Sequence, residues 1–264
     1  MGGFLQKVLA EKRRSIRKDK EYIRSLERGL ETAEKPRDFL SILERPEPRI
    51  IAEVKKASPS AGRIRDVDPA SQAKVYERCG AVAVSVLTEE RFFSGSLEDL
   101  SRVRSAVNIP VLRKDFILDR VQILEARYHG ADSVLIIVRI LERNLLKDLI
   151  SFSEDLGMRP LVEVFSYTEA LKALEAGAEI LGVNSRDLDT LEVNLKTMED
   201  LIPRIKELGV KCLVAESGIE GRDQVERLTS LGADALLVGT SLMKSEDPCS
   251  KLRYLRGQIS DQEV

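Results

Sequence analysis

From residue 50 onward, short apolar runs alternate with longer stretches whose apolar residues recur every three or four positions. The short runs lie at residues 50–54, 82–86, 110–112, 133–138, 160–164, 180–183, 211–215 and 235–238. Most are rich in Val, Ile and Leu with few polar interruptions, the mark of strands covered on both faces. Between them the spacing predicts helices over 69–78, 97–105, 120–128, 141–156, 167–175, 195–208 and 224–231. Strands alternating with helices imply right-handed crossovers and a parallel sheet. The pairs Gly80-Ala81, Gly130-Ala131, Gly177-Ala178 and Gly232-Ala233 each close a helix before a strand, at every second unit. Glycine is the natural residue just past a helix end. Eight such units with a two-unit repeat fit a closed (β/α)8 TIM barrel better than an open doubly wound sheet. No strand-to-helix turn carries a Gly-rich dinucleotide fingerprint, which also disfavours the open sheet.

Residues 1–48 follow a different rule. Phe4, Leu5, Val8, Leu9, Ile16, Tyr22, Ile23 and Leu26 have amphipathic helical spacing. We expect an N-terminal helical extension packed on the barrel (49–264), the two making one domain, with Pro46 and Pro48 ending the extension. Its basic cluster, Lys12 to Arg14 with Arg17, Lys18 and Lys20, is interrupted by Glu11, Asp19 and Glu21 and reads as a solvated helix face.

The length of 264 residues suits one α/β barrel, and 43% hydrophobic residues can build its core. A net charge of −2 and a pI near 5.8 give no field for nucleic acid. The charged fraction of 33%, against a usual ~25%, predicts surface ion-pair networks. No apolar run reaches the ~18 residues of a membrane span, and no signal-peptide core follows Met1, so a cytoplasmic protein is expected. Cys79, Cys212 and Cys249 lack metal-ligand spacing and read as reduced packing thiols.

Candidate chemistry clusters where a barrel keeps it, at the C-terminal ends of strands. The first strand ends in Glu53 and Lys55, the third in Lys114, the fifth in Glu163, the sixth in Asn184 and Arg186, the seventh in Glu216. Each shares a face with an apolar residue two positions earlier, as an inward-facing end position does. Acids and bases there are costly unless used, so five polar strand ends point to an active site. After strands seven and eight, Glu216-Ser217-Gly218-Ile219 and Val238-Gly239-Thr240-Ser241 form short turns whose amides can approach a phosphate. The plain alternative is that their glycines only make tight turns. His129, the single histidine, sits at a helix end where the dipole favours its proton, and reads as structural. Arg139 follows strand four, where either substrate or an acidic neighbour would suit it. Phe92 and Phe93 precede a Ser-Gly hinge, with a lid or loop packing as the two readings.

Glu53-Val-Lys55-Lys-Ala-Ser58-Pro59-Ser60, Lys114-Asp-Phe116, Glu163, Gly182-Val-Asn184-Ser-Arg186-Asp-Leu188, Ala215-Glu216-Ser217-Gly218 and Val238-Gly239-Thr240-Ser-Leu-Met, in this order, closely resemble the indole-3-glycerol phosphate synthase family. The resemblance implies a monofunctional lyase of tryptophan biosynthesis with a small phosphorylated aromatic substrate. It implies no metal and no cofactor. A monomer is compatible with it. By the family pattern Lys114 is a general acid and Glu163 a general base, Glu53 and Lys55 serve later proton steps, and Asn184 and Glu216 complete the catalytic set. Ser58 is a substrate contact. Ser217, Gly218, Gly239, Thr240, Lys55 and Arg186 hold phosphate, and Phe93, Phe116 and Leu188 enclose the aromatic ring. Arg113 and Phe165 depart from the pattern and are expected off the mouth-facing side.

Three other functions fit the barrel less well. A lysine-dependent aldolase would need a neutral Lys114, which nearby carboxylates oppose. A sugar-phosphate isomerase would release no carbon dioxide. A non-catalytic metabolite-binding protein would not need intact acids and bases at five strand ends.

Overall fold

The computed structural model describes residues 3–43, 48–59 and 62–260; Pro46 and Ser60 lie outside them. β1 (Ile50–Val54), β2 (Ala83–Leu87), β3 (Val111–Lys114), β4 (Ser133–Ile137), β5 (Leu161–Val164), β6 (Ile180–Asn184), β7 (Cys212–Glu216) and β8 (Ala235–Val238) close into one parallel barrel. Ile50 pairs with Leu236 and Ala52 with Val238 at the closing seam. The eight expected strands and the TIM-barrel class are therefore borne out. Four strands run further than their apolar runs, because their ends keep ladder register: Leu87 with Lys114, and Asn184 with Glu216.

Three helices precede the barrel: α1 (Phe4–Ser15), α2 (Lys20–Leu30) and α3 (Phe39–Leu43). The rest are α4 (Pro69–Arg78), α5 (Glu90–Phe93), α6 (Leu97–Ala106), α7 (Arg120–Tyr128), α8 (Arg143–Asp155), α9 (Tyr167–Glu175), α10 (Leu195–Lys206), α11 (Arg222–Ser230), α12 (Thr240–Lys244) and α13 (Pro248–Leu255). Asp68, Ser96, Asp119 and Ser166 cap their helices by accepting backbone N–H groups. Gly80, Gly130, Gly177 and Gly232 have φ of +96°, +86°, +99° and +113°, the left-handed backbone that glycine tolerates.

Inside the barrel, Ile51, Ala83, Leu112, Leu135, Leu161 and Val214 pack into one buried cluster, joined by Leu5, Val8 and Leu9 of α1 and Phe39 and Leu43 of α3. α1 lies along the C-terminal rim, where Phe4 meets Phe92 edge-on at 5.2 Å. α2 packs on α7 through Leu26, Val121 and Leu124. Arg37 then reaches the opposite end, its amide donating to Asp132 at 2.7 Å just ahead of β4. The charge-rich surface does form networks: Arg159 bridges Glu154 and Glu179, and Glu179 also meets Lys211.

Two readings of the sequence need correction. Lys12 is not part of a solvated face; its ammonium lies 2.6 Å from the buried carboxylate of Asp115. Cys79 and Cys249 are not thiols but form a disulfide across 170 positions of sequence. Their pairing follows from closure, since β1 and β8 adjoin and carry α4 and α13 together. Cys212, outside that bond, is buried in the barrel interior as expected. Among the described residues, no helix is long and apolar enough to cross a membrane.

Candidate active site

A cavity of about 350 Å³ opens at the C-terminal ends of the strands. Its wall includes Glu53, Lys55, Lys114, Glu163, Asn184 and Arg186 from strand ends far apart in sequence. Phe93, Phe116 and Leu188 line it on one side, and Ser217, Gly218, Gly239 and Thr240 on another. Two expected site residues stand elsewhere. Glu216 lies in the layer beneath the wall, fully buried, and Ser58 is buried in a small hairpin (57–58 with 62–63) outside the lining. Arg113 points away from the mouth, as expected, into a buried polar network. Phe165 does not follow its expectation: two residues past Glu163, it shares that face, joins the interior cluster and stacks under Arg139 at 4.1 Å. It stays outside the cavity wall.

The centre of the site is the Lys114 ammonium, 2.6 Å from Glu216 and 3.4 Å from Glu163. Burial works against its charge, but Glu216, Glu163 and Glu53 outweigh burial and raise its pKa above the ordinary lysine value. Burial, helped by Glu163 and Glu53, raises Glu216 to about 7 against the downward pull of Lys114. Near neutral pH this corner therefore holds a firm cation beside a carboxyl that readily takes or gives a proton. One oxygen of Glu163, Oε1, is buried with no hydrogen-bond partner among the described residues. Lys55 lies 2.9 Å from Glu53 and donates to Thr240 Oγ1 at 3.2 Å, so it joins the acid cluster to the closing turn. Among the described residues, no group of three His, Cys, Asp or Glu side chains is arranged to hold a metal.

Two glycines make room for this cluster. A Cβ on Gly182 would stand 2.0 Å from Glu216 Oε1, and one on Gly239 would stand 2.4 Å from Glu53 Oε1. Gly182→Ala is thus expected to push the Glu216 carboxylate off Lys114 and lower kcat at least tenfold, on the order of what a small misplacement costs. Steady-state kinetics on the folded variant checks this, and unchanged kcat would show that the contact is dispensable.

In the turn after β7, Ser217 and Gly218 take φ of +71° and +76° in succession. Strain at a non-glycine residue is common where a turn must present its backbone to a ligand. Ser185 Oγ donates to the Ser217 carbonyl at 3.1 Å, and Ser241 Oγ to that of Ile219 at 2.9 Å, which ties the two turns together. Arg186 donates to the Leu191 carbonyl at 2.7 Å while lining the cavity, and burial lowers its pKa.

Sequence reasoning missed Glu89, which caps α5 by accepting N–H groups from Arg91, Phe92 and Phe93 at 2.7–3.1 Å and so sets Phe93 beside Phe116. The acid just ahead of the aromatic pair was the available signal. Arg139 meets Glu169 and Asp187, acidic neighbours at the rim. His129 ends α7 beside Ser101; burial and Arg113 lower its pKa, contrary to the expected dipole effect.

The model of a family described as indole-3-glycerol phosphate synthase matches residues 5–255. The indole-3-glycerol phosphate synthase of Aquifex aeolicus (strain VF5) is 51% identical over 97% of this chain and 99% of its own length. That of Parafrankia sp. (strain EAN1pec) is 47% identical over 89% and 87%. Among solved structures, a 3-hexulose-6-phosphate synthase superposes with a TM-score of 0.65 over 80% of this chain and 100% of its own, at 13% identity. A thiamine phosphate pyrophosphorylase from Pyrococcus furiosus gives 0.62 over 84% and 97%, at 18% identity. These two likenesses speak for the barrel alone. With the family's pattern matched across almost the whole chain, the protein belongs to the indole-3-glycerol phosphate synthases, the carboxy-lyases that make the indole ring in tryptophan biosynthesis.

Proposed function

We propose that Lys114 is the general acid, Glu163 a general base, and Glu53 with Lys55 the pair for the later proton steps. The substrate is 1-(2-carboxyphenylamino)-1-deoxyribulose 5-phosphate. Its ring carbon bearing the carboxylate attacks the ketone carbon, and the ketone oxygen takes a proton from Lys114. Loss of carbon dioxide returns the bonding pair to the ring and restores aromaticity. A base then removes a proton from the former C1 while the new hydroxyl leaves as water with a proton from Lys55, closing the indole. Two protons are given and one is taken, and the net uptake balances the carboxylate lost as neutral carbon dioxide.

The observation that carries this reading is the ammonium of Lys114 set against buried carboxylates, a charged acid rather than a nucleophilic amine. Ser217, Gly218, Gly239 and Thr240, with Lys55 and Arg186, hold the phosphate and fix the reacting atoms from a distance. Phe93, Phe116 and Leu188 enclose the ring. Asn184 and Glu216 support the catalytic pair. Ser58, away from the wall, acts on substrate through the hairpin that follows Lys55. A monomer suffices, since all these side chains come from one chain, and we place the reaction in the cytoplasm.

Incubation with that substrate should yield indole absorbance and carbon dioxide in equal amounts, with inorganic phosphate as a competitive inhibitor. No product, or borohydride trapping of substrate on Lys114, would contradict the mechanism.

A further inference from the structure

After Lys114 the third strand leaves the sheet. Its last tie to β2 is the Thr88 amide, which donates to the Lys114 carbonyl at 3.1 Å. From there the path of the chain is set by a side chain. Asp115 belongs to the cavity lining with its neighbours, but is only 3% exposed, its carboxylate turned into a buried polar network. One of its oxygens, Oδ1, accepts the Phe116 amide at 2.8 Å and lies 2.6 Å from the Lys12 ammonium. The other, Oδ2, accepts from Thr88 Oγ1 at 2.7 Å and from Arg113 at 2.9 Å. Arg113 also donates to Thr88 Oγ1 at 3.1 Å, so the three side chains form a closed ring of contacts. Gln122 finishes the staple by donating to the Phe116 carbonyl at 3.0 Å.

We infer that Asp115 is a positioning residue for Lys114 and Phe116, the inward neighbours on either side of it in the chain. Where ladder hydrogen bonds stop, a backbone turn normally gains freedom. Here four donors converge on one buried carboxylate and take over from the ladder. The acid and the aromatic wall are thereby held from behind, and Thr88 couples them to the loop bearing Phe93. The inference rests on Lys114 being the proton donor.

The test compares Asp115→Asn and Thr88→Val with the parent enzyme, measuring kcat and KM well below each melting temperature, with a crystal structure of each. Asn is isosteric but turns one acceptor into a donor, which faces either Lys12 and the Phe116 amide or Arg113 and Thr88 Oγ1. The expected result is a kcat lower by about 100-fold in the first and about fivefold in the second. In the crystal structure of Asp115→Asn, the Lys114 ammonium should stand beyond hydrogen-bond distance of Glu216. A purely structural role would lower the melting temperature and leave kcat of the folded enzyme alone. A folded Asp115→Asn enzyme with kcat within twofold of the parent and the Lys114 ammonium still on Glu216 overturns the inference. If that variant does not fold, an unchanged kcat in Thr88→Val overturns it instead. A displaced ammonium with undiminished turnover would leave the positioning intact and overturn the assignment of Lys114.

Discussion

Lys114→Ala should lower kcat by about 10³-fold and leave substrate affinity within about tenfold of the parent, on the scale of losing one general acid. Ring closure puts negative charge on the ketone oxygen, and in this cavity Lys114 is the proposed cation for it. Affinity should survive because the residues proposed to hold the phosphate and the aromatic ring do not include Lys114. The variant carries a second signature. Without Lys114, buried Glu216 loses the cation that holds its pKa down, which drives it towards its protonated form. A carboxyl whose pKa is raised on folding stabilises the fold least at high pH: its contribution is full below the unfolded value and declines as pH rises towards the folded one. Lys114→Ala should therefore melt lower at pH 8 than at pH 5, by a wider margin than the parent. Turnover followed by indole absorbance and binding followed by calorimetry test the first claim. Near-normal turnover refutes it.

The second large effect concerns the seam of the barrel. Cys79 ends α4 and Cys249 opens α13, and their bond closes a loop spanning 170 positions. In the chain-entropy account such a loop stabilises by about 5 kcal/mol. For a chain of this size that is a fall in melting temperature of roughly 10–20 °C on reduction. Cys249→Ser is the cleaner variant, since Cys79 is nearly inaccessible and its replacement also disturbs packing. Neither cysteine lines the cavity, so kcat below the melting point should be unchanged. Calorimetry with and without reductant gives the answer; identical melting temperatures would mean that the bond contributes nothing.

What the sequence conveyed and what it hid divide along physical lines. Strand ends such as Ala52-Glu53-Val54-Lys55 and Val162-Glu163 were legible because alternation is local: an acid two residues past an inward apolar residue must also point inward. Glycines closing helices were legible for the same reason. Contacts set by closure were not. Cys79 meets Cys249, and Lys12 meets Asp115, only because the barrel returns on itself and α1 crosses its rim. Gly182 looked like part of a motif, but its function is empty space for a carboxylate from the next strand. Asp115 has the wrong parity for the mouth and so escaped notice, although its contacts reach the chain on both sides of it. Phe165 has the parity of Glu163, so alternation itself turns it inward.

In the proposed mechanism Lys114 carries its proton throughout the working range. Nitrogen-15 NMR of the lysine side chains from pH 7 to 11, with Lys114 identified by its loss in Lys114→Ala, measures this directly. The Lys114 signal should stay that of an ammonium across this range. A Lys114 signal that turns to the neutral amine before the surface lysines do would contradict it.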